Sequence, residues 1–377
     1  MASVGDFTHR QSIARLQSLT TALRPTLADV PKTLRFAVVK SQYQPNLYTT
    51  SGETVAATLL ASSIKHTGPL GLFTRFKSQF LIIDTDGVPD ASLWMQKVGR
   101  PGQEPIEYYM RVAQERHSAL GGLSQKDVAV RAESINWSDY DIVIALDACV
   151  PASISLSYPD VLWCYMPSEP NMPLWAASHR KCLNGYDTFL TQRPWSAPGE
   201  RHICDFPWVI QYYGLYDDIL GEKLSSEPIV YLEPNLAHSL PNLPIINGCE
   251  ITGPSGSMAD VARELHKSRY FACFGRYGRR LWGNATVEAI CAGALPLGSP
   301  GLHKNRAFFP RELTCRSFPQ LSRMVADLEL NTGRYDAMAQ VVREITDISH
   351  FYGPVGELWT RLADKRIGAA VLATGQG

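Results

Sequence analysis

The sequence has no excess charge of either sign, because 36 Lys and Arg balance 36 Asp and Glu. Nothing in the net charge therefore predicts a polyanionic partner, and nucleic acid is an unfavoured one. It also lacks any apolar run of about 18 or more residues, which argues against a spanning helix. The opening MASVGDFTHRQSIARLQ has no apolar stretch before a small-residue cleavage site, so a secretory leader is not expected. Eight cysteines lie singly at 149, 164, 182, 204, 249, 273, 291 and 315, with no C-x-x-C pair to suggest a zinc ribbon or a redox centre. Several stand inside apolar runs such as LWCYM and FACFG, where a thiol behaves as a small hydrophobe, and a reducing cytoplasm fits this usage. No internal repeat of short period is found. Peripheral contact with a membrane stays open, although no amphipathic basic segment supports it.

What is present is the grammar of an α/β protein. The chain has 377 residues, 45% of them hydrophobic and 19% charged, enough for two domains of middling size. Residues 1–30 read as an amphipathic helical lead-in ending at Pro31. The runs LRFAVVKSQY (34–43), QFLIIDTDG (79–87), DYDIVIALDACVP (139–151), DVLWCYMPSEP (160–170), GYDTFLTQRPW (185–195) and FPWVIQYYG (206–214) read as short buried strands. Fully apolar runs of that length suit parallel strands covered on both faces. A helical pattern intervenes at about 104–122. After the Ser-, Glu- and Pro-containing segment LSSEPI, the second half repeats the alternation. EPIVYLEPN, IINGCEITG, YFACFGR and LPLGSP read as strands; SMADVARELHKS, NATVEAICAGA, FPQLSRMVADLEL, YDAMAQVVREI and GELWTRLADKRI read as helices. The expectation is two Rossmann-like domains, 1–223 and 224–345, with a helical tail over 346–377 and an active site in the cleft between the domains.

The most informative stretch is RYFACFGRYGRRLWGNATVEAICAGALPLGSP, from Arg269 to Pro300. A strand ends at Phe274-Gly275, a glycine-punctuated loop carries Arg276, Arg279 and Arg280, and a helix opens near Asn284. Ligands of open α/β sheets bind beyond the carboxyl ends of the strands, and a helix N-terminus there offers unpaired N–H groups to a diphosphate. Arginines add forked, permanently charged donors for phosphate oxygens. Gly283 allows close backbone approach, Asn284 is a suitable N-cap, and Glu288, one turn into the helix, can accept from a ribose diol. The plainer reading is a generic strand–helix–strand unit with a surface glutamate and solvated arginines.

The segment VEAICAGALPLGSP resembles the E-A-x-x-x-G-x-x-P element near the donor site of GT-B glycosyltransferases. It is similar to the exostosin-like branch and to the large retaining family that uses two glutamates eight residues apart. The resemblance covers about 80 residues and implies that Glu288 contacts the nucleotide ribose while the loop from Arg276 to Asn284 holds the diphosphate. Arg280 stands where the retaining family has its first glutamate, a departure that leans towards inversion. In YMPSEPNMP (165–173), Glu169 sits in a loop stiffened by Pro167 and Pro170 and is the candidate general base. The layout is loosely similar to the inverting fucosyltransferases, with GYDTFL as the strand that follows. The resemblance implies a nucleoside-diphosphate sugar as donor, a glycan, lipid-linked or small-molecule acceptor, and no required metal or other cofactor.

Other signals compete. Asp84 and Asp86 form a D-x-D at a strand end, the device by which single-domain GT-A transferases hold a divalent metal; strand ends also carry Asp because it turns the chain. A glycan- or nucleotide-binding protein that kept such a fold without its chemistry is a third class. Lys40, Ser41 and Gln42 at the end of the first strand are candidates for the acceptor cleft, and Glu233 after VYL is a candidate near the donor. His117, His179, His202 and His303 show no metal-ligand spacing. Trp163, Trp175 and Trp195 suit either sugar stacking or core packing, with core packing favoured.

Overall fold

The computed structural model describes residues 30–41, 69–84, 129–146, 148–166, 184–191, 202–204, 207, 210–223, 227–233, 236–237, 240, 242, 244–246, 248–253, 258–274, 284–299 and 311–374. They divide into two compact units. One, here the N-terminal unit, takes its described residues from the stretch between Val30 and Ile210 and from Pro354 onward; the other, the C-terminal unit, spans Gln211–Gly353.

The N-terminal unit is built on seven parallel strands: β1 (Arg35–Ser41), β2 (Lys77–Asp84), β3 (Val130–Arg131), β4 (Ile142–Leu146), β5 (Leu162–Met166), β6 (Thr188–Thr191) and β7 (His202–Cys204), in the spatial order β3-β2-β1-β4-β5-β6-β7. The central strands β4 and β5 are buried along their whole length, as their uninterrupted apolar sequences require, and in β1 Phe36, Ala37, Val38 and Val39 have no exposed surface. A short helix, α1 (Leu70–Arg75), leads into β2, and a single turn, α2 (Ala152–Ser155), lies between β4 and β5. One face of the sheet carries Ala37, Val39, Val143, Ala145, Trp163, Tyr165 and Phe189 against Trp137 and Tyr186. Trp163 is therefore core: its ring lies 5.1 Å from that of Trp137, and Trp137 Nε1 donates to the Ala132 carbonyl at 2.9 Å. Burying roughly 200 Å² for each indole is worth about 5 kcal/mol of gross transfer free energy.

The C-terminal unit has four parallel strands, β8 (Ile229–Leu232), β9 (Glu250–Thr252), β10 (Tyr270–Cys273) and β11 (Leu295–Gly298), in the order β11-β10-β8-β9. Its helices are α3 (Leu215–Leu220), α4 (Met258–Lys267), α5 (Asn284–Cys291), α6 (Phe318–Leu330) and α7 (Thr332–Asp347). Ser317 caps α6 by accepting from Gln320 N, and Asn331 caps α7 by accepting from Arg334 N. The apolar stripe Tyr335, Met338, Ala339, Val342 and Ile345 turns the buried side of α7 inward. A π-helical turn (Ile348–Tyr352) follows, and the chain continues into α8 (Gly353–Thr374).

From Pro354 onward α8 belongs to the N-terminal unit. Leu358 and Leu362 are fully buried. Lys365 Nζ donates to the Val161 carbonyl and to Asp187 Oδ2, both at 2.7 Å, while Asp187 Oδ2 also accepts from Trp163 N at 2.7 Å. Arg366 donates to Asp141 Oδ1 at 2.8 Å and to the Asp160 carbonyl at 3.2 Å. Gly368 stands exposed inside this helix, and a methyl group there would meet nothing within 4 Å. Gly368→Ala is therefore expected to stabilise the N-terminal unit by about 1 kcal/mol, the helix-propensity difference, read as a raised melting temperature; an unchanged or lowered one would contradict it.

Two readings of the sequence are corrected. FPWVIQYYG holds no strand among its described residues: Ile210, Gln211 and Tyr212 are buried as irregular backbone, and Gly214 turns the chain at φ +87°. The strand in this region is the three-residue β7, just upstream. Cys164, Cys249, Cys273, Cys291 and Cys315 are free thiols, but Cys149 is disulfide-bonded. No spacing in the sequence signals that bond. The helical patterns of residues 1–30 and 104–122 lie outside the described residues. Among the described residues no helix is long and apolar enough to cross a membrane.

Candidate functional site

In the C-terminal unit the strand order reverses between β8 and β10: β9 lies on one side of β8, and β10 and β11 on the other. Such a switch point leaves a crevice beyond the carboxyl ends of the strands, because the connections leave in opposite directions. Glu233 is the first residue past β8. Its N–H donates to the Ala272 carbonyl at 2.9 Å, prolonging the ladder to β10, and only 8% of the residue is exposed. Glu233 Oε2 accepts from Leu236 N at 3.0 Å and its carbonyl accepts from Ala237 N at 2.9 Å, so this carboxylate caps the turn that follows the strand.

Helix α5 begins at Asn284, on the connection out of β10. Val287, Ala289, Ile290 and Cys291 are buried, which fixes the rotation of the helix about its axis. Glu288 lies on the same largely covered helix and is 9% exposed. The helix ends in a two-bond cap: Ala294 N donates to the Ala289 carbonyl at 2.8 Å and Gly293 N to that of Ile290 at 2.9 Å, with Gly293 at φ +91°. That left-handed residue turns the chain straight into β11. At the far end of β11, Gly298 lies against the backbone of β10, where a Cβ would stand 1.8 Å from the Cys273 carbonyl oxygen. Ser299 N donates to that same oxygen at 3.0 Å. The carboxyl ends of β10 and β11 are thus clamped edge to edge beside the opening of α5.

The surroundings of Glu288 are buried and polar. Tyr231 is 1% exposed, its ring stacks on Phe271 with centroids 6.2 Å apart, and its hydroxyl has no hydrogen-bond partner. Burial first, and then the negative charges of Glu288, Glu264 and Glu233, hold that phenol far above its ordinary pKa. Tyr216, also buried, is raised by burial and then by Glu288. Both phenols are therefore protonated throughout the physiological range, and two neutral O–H groups lie within the field of Glu288. Burial pushes the Cys273 and Cys315 thiols up to about 12, which leaves neither as a nucleophile.

The structure thus brings Glu233 and Glu288 to one buried region, both acting on the Tyr231 hydroxyl, and puts the start of α5 at Asn284. Arg276, Arg279, Arg280 and Gly283 lie outside the described residues, as do Glu169, Gln42 and Asp86. In the N-terminal unit the order reverses between β1 and β4, and Lys40 stands at the carboxyl end of β1, 5% exposed, with Nζ 5.7 Å from the centroid of the Phe80 ring. Ser41 is the last residue of β1 and Asp84 the last of β2. Among the described residues no three His, Cys, Asp or Glu side chains converge as a metal-binding group. Tyr231 and Gly298 are missed by reading the sequence alone: a tyrosine in an apolar strand reads as core, and a glycine at a strand end as a turn.

No family model matches the chain, and no curated protein matches it. Similar solved structures include the T4 phage β-glucosyltransferase with its UDP-glucose substrate (11% identity, covering 88% of this chain and 99% of that one, TM-score 0.35). They also include the α,α-trehalose 6-phosphate synthase of Burkholderia multivorans (10% identity, 92% and 99% covered, TM-score 0.35). A third is the UDP-GlcNAc 2-epimerase of Neisseria meningitidis bound to UDP-GlcNAc (11% identity, 88% and 100% covered, TM-score 0.35). The functional reading rests instead on the residues at the ends of the two sheets.

Proposed function

We propose that the chain is a glycosyltransferase of the GT-B type that moves a sugar from a nucleoside-diphosphate sugar to an acceptor hydroxyl. The observation that carries this reading is Glu288, held almost covered on the helix that opens at the switch point of the C-terminal sheet. Its carboxylate is the acceptor for the ribose diol of the donor. The N–H groups at the start of α5, with Arg276, Arg279 and Arg280 from the loop before it, hold the diphosphate and stabilise its charge as it departs. No metal is then required. Glu169 is the base: it takes the proton of the acceptor hydroxyl, the freed oxygen pair attacks the anomeric carbon, and the bond from that carbon to the diphosphate oxygen breaks. The sugar inverts, and the nucleoside diphosphate leaves.

A thermal-shift screen against UDP, GDP, CMP, ADP and dTDP, with EDTA or Mn²⁺, tests the binding step. One nucleoside diphosphate is expected to raise the melting temperature equally in both conditions, since a ligand of the native state stabilises it. A rise that needs Mn²⁺ would move the site to Asp84 and Asp86, and no rise with any nucleotide would remove the proposal. Glu288→Gln, which keeps shape and removes charge-assisted acceptance, is expected to weaken that nucleotide about tenfold, or roughly 1.4 kcal/mol. Wild-type affinity in the variant would exclude Glu288 from the site.

A further inference from the structure

Lys223 is a lysine set among cations. It follows α3, is partly buried, and donates to the Ser268 carbonyl at the amino end of β10. A Cβ placed on Gly293 would stand 3.4 Å from Lys223 Nζ and 3.9 Å from the Tyr213 ring, so both side chains close over the glycine that ends α5. The guanidinium of Arg343, from α7, lies 4.1 Å from the centroid of that same ring. Arg269, next to Ser268, is already paired with Glu329 at 3.2 Å. Among the described residues neither Lys223 nor Arg343 is ion-paired with a carboxylate. Burial, and then the charge of Arg343, bring the Lys223 ammonium from 10.5 down to about 8; Asp217 on α3 pulls the other way and Arg269 adds to the lowering. At about pH 7.5 roughly a quarter of this side chain is then neutral amine, against about one part in a thousand for an exposed lysine. A desolvated amine beside a cation is an activated nucleophile. The same surroundings disfavour an ammonium and favour an anion on that nitrogen, and a lysine becomes an anion without any activated donor by adding carbon dioxide.

We propose that Lys223 is a modification site, whose amine takes up carbon dioxide to form a carbamate held by Arg343. The Nζ lone pair attacks the carbon of CO2, one C=O π pair moves onto oxygen, and Nζ releases a proton to solvent. No oxidant or reductant is needed. Nζ keeps one hydrogen for the Ser268 carbonyl, and the repulsion from Arg343 becomes a charge-assisted contact. The cluster lies at the amino ends of β10 and β11, whereas Glu233 and the start of α5 lie beyond the carboxyl ends, so the proposal stands apart from the donor reading.

The test incubates the full chain with carbon-13-labelled bicarbonate at constant pH and ionic strength. Carbamates are then trapped with triethyloxonium ion, and the digested peptides are read by mass spectrometry. Label on Lys223 is expected to exceed that on any exposed lysine at least about tenfold, following its larger neutral fraction. Arg343→Met should lower the label at least about threefold, because it removes the cation that holds the product and lets the amine's pKa rise. Wild type should also melt higher in bicarbonate than in chloride, and Lys223→Met equally in both. Labelling of Lys223 no greater than that of exposed lysines, or undiminished labelling in Arg343→Met, would overturn the proposal. So would a bicarbonate-dependent rise in melting temperature with no label on Lys223, since an anion would then be held there without a covalent bond.

Discussion

Gly298→Ala is expected to unfold the C-terminal unit, or to leave it with a small fraction of its stability. The added methyl carbon would stand 1.8 Å from the Cys273 carbonyl oxygen and 2.7 Å from its carbon, far inside contact distance. Neither atom can move away cheaply. Cys273 ends β10, which is paired on one side to β8 and on the other to β11, and its oxygen already accepts from Ser299 N at 3.0 Å. Relieving the clash means separating β11 from the sheet at the end where Glu233 and α5 lie. Overpacking against fixed backbone belongs with the severest single changes, and a loss of about 4 kcal/mol or more is expected against a typical domain stability of about 5–15 kcal/mol. Urea unfolding followed by circular dichroism measures it, and the nucleotide-induced shift should disappear with it. A Gly298→Ala protein that melts like wild type would show that β10 and β11 do not meet in this way.

The second large effect concerns Asp141, the residue before β4. It accepts from Arg35 N at 3.0 Å, from Arg35 Nε at 3.2 Å and from Arg366 Nη2 at 2.8 Å, drawing together β1, β4 and α8. Burial alone would raise its pKa, but the hydrogen bonds from Arg35 and Arg366 outweigh burial and hold it below the ordinary carboxylate value. A carboxylate whose folded pKa is depressed contributes stability that is fully present above its unfolded pKa, about 4, and is lost as the pH falls through the lower folded value. Asp141→Asn should therefore cost about 2 kcal/mol at pH 7, as expected when a buried carboxylate gives up charge-assisted hydrogen bonds to two half-exposed arginines. The cost should shrink below about pH 4, where wild type loses the same interaction. Chemical denaturation at pH 7 and at two acid pH values measures both. Stability curves for the two proteins that run parallel down to pH 2 would sink the assignment.

Most of the fold is legible in the sequence because its central strands are buried on both faces. RFAVVKS, IVIAL, LWCYM, IVYL and YFAC have no polar alternation to confuse them with half-exposed strands, and each forms where its run stands. The edges are less legible. Val130–Arg131 is two exposed residues, and its pairing to Ile83 and Asp84 leaves no periodicity to read. FPWVIQYYG misleads for the opposite reason: Ile210, Gln211 and Tyr212 are buried, but Pro207 lacks an N–H to pair and Gly214 turns left-handed, so burial comes without a ladder. The site divides in the same way. Glu288 stands out by its spacing from Gly293 and Pro296, since a helix closing on a glycine and entering a strand fixes those intervals. The Tyr231 hydroxyl shows no such spacing, because its isolation follows from how α4, α5 and β8 come together.

The bond from Arg366 to Asp141 joins residues 225 positions apart, and Lys365 reaches Asp187 across 178. The N-terminal unit is therefore not finished when its seven strands have been synthesised. A ribosome has to translate the entire C-terminal unit before α8 exists, and at about 5–20 residues per second the nascent sheet waits on the order of ten seconds or more for its last helix. In that interval Asp187 lacks its lysine and Asp141 keeps Arg35 but lacks Arg366, and the surface that Leu358 and Leu362 later cover is open to solvent or to a chaperone. A premature stop upstream of Leu358, which removes Leu358, Leu362, Lys365 and Arg366 together, would thus be felt first in the half of the protein translated earliest.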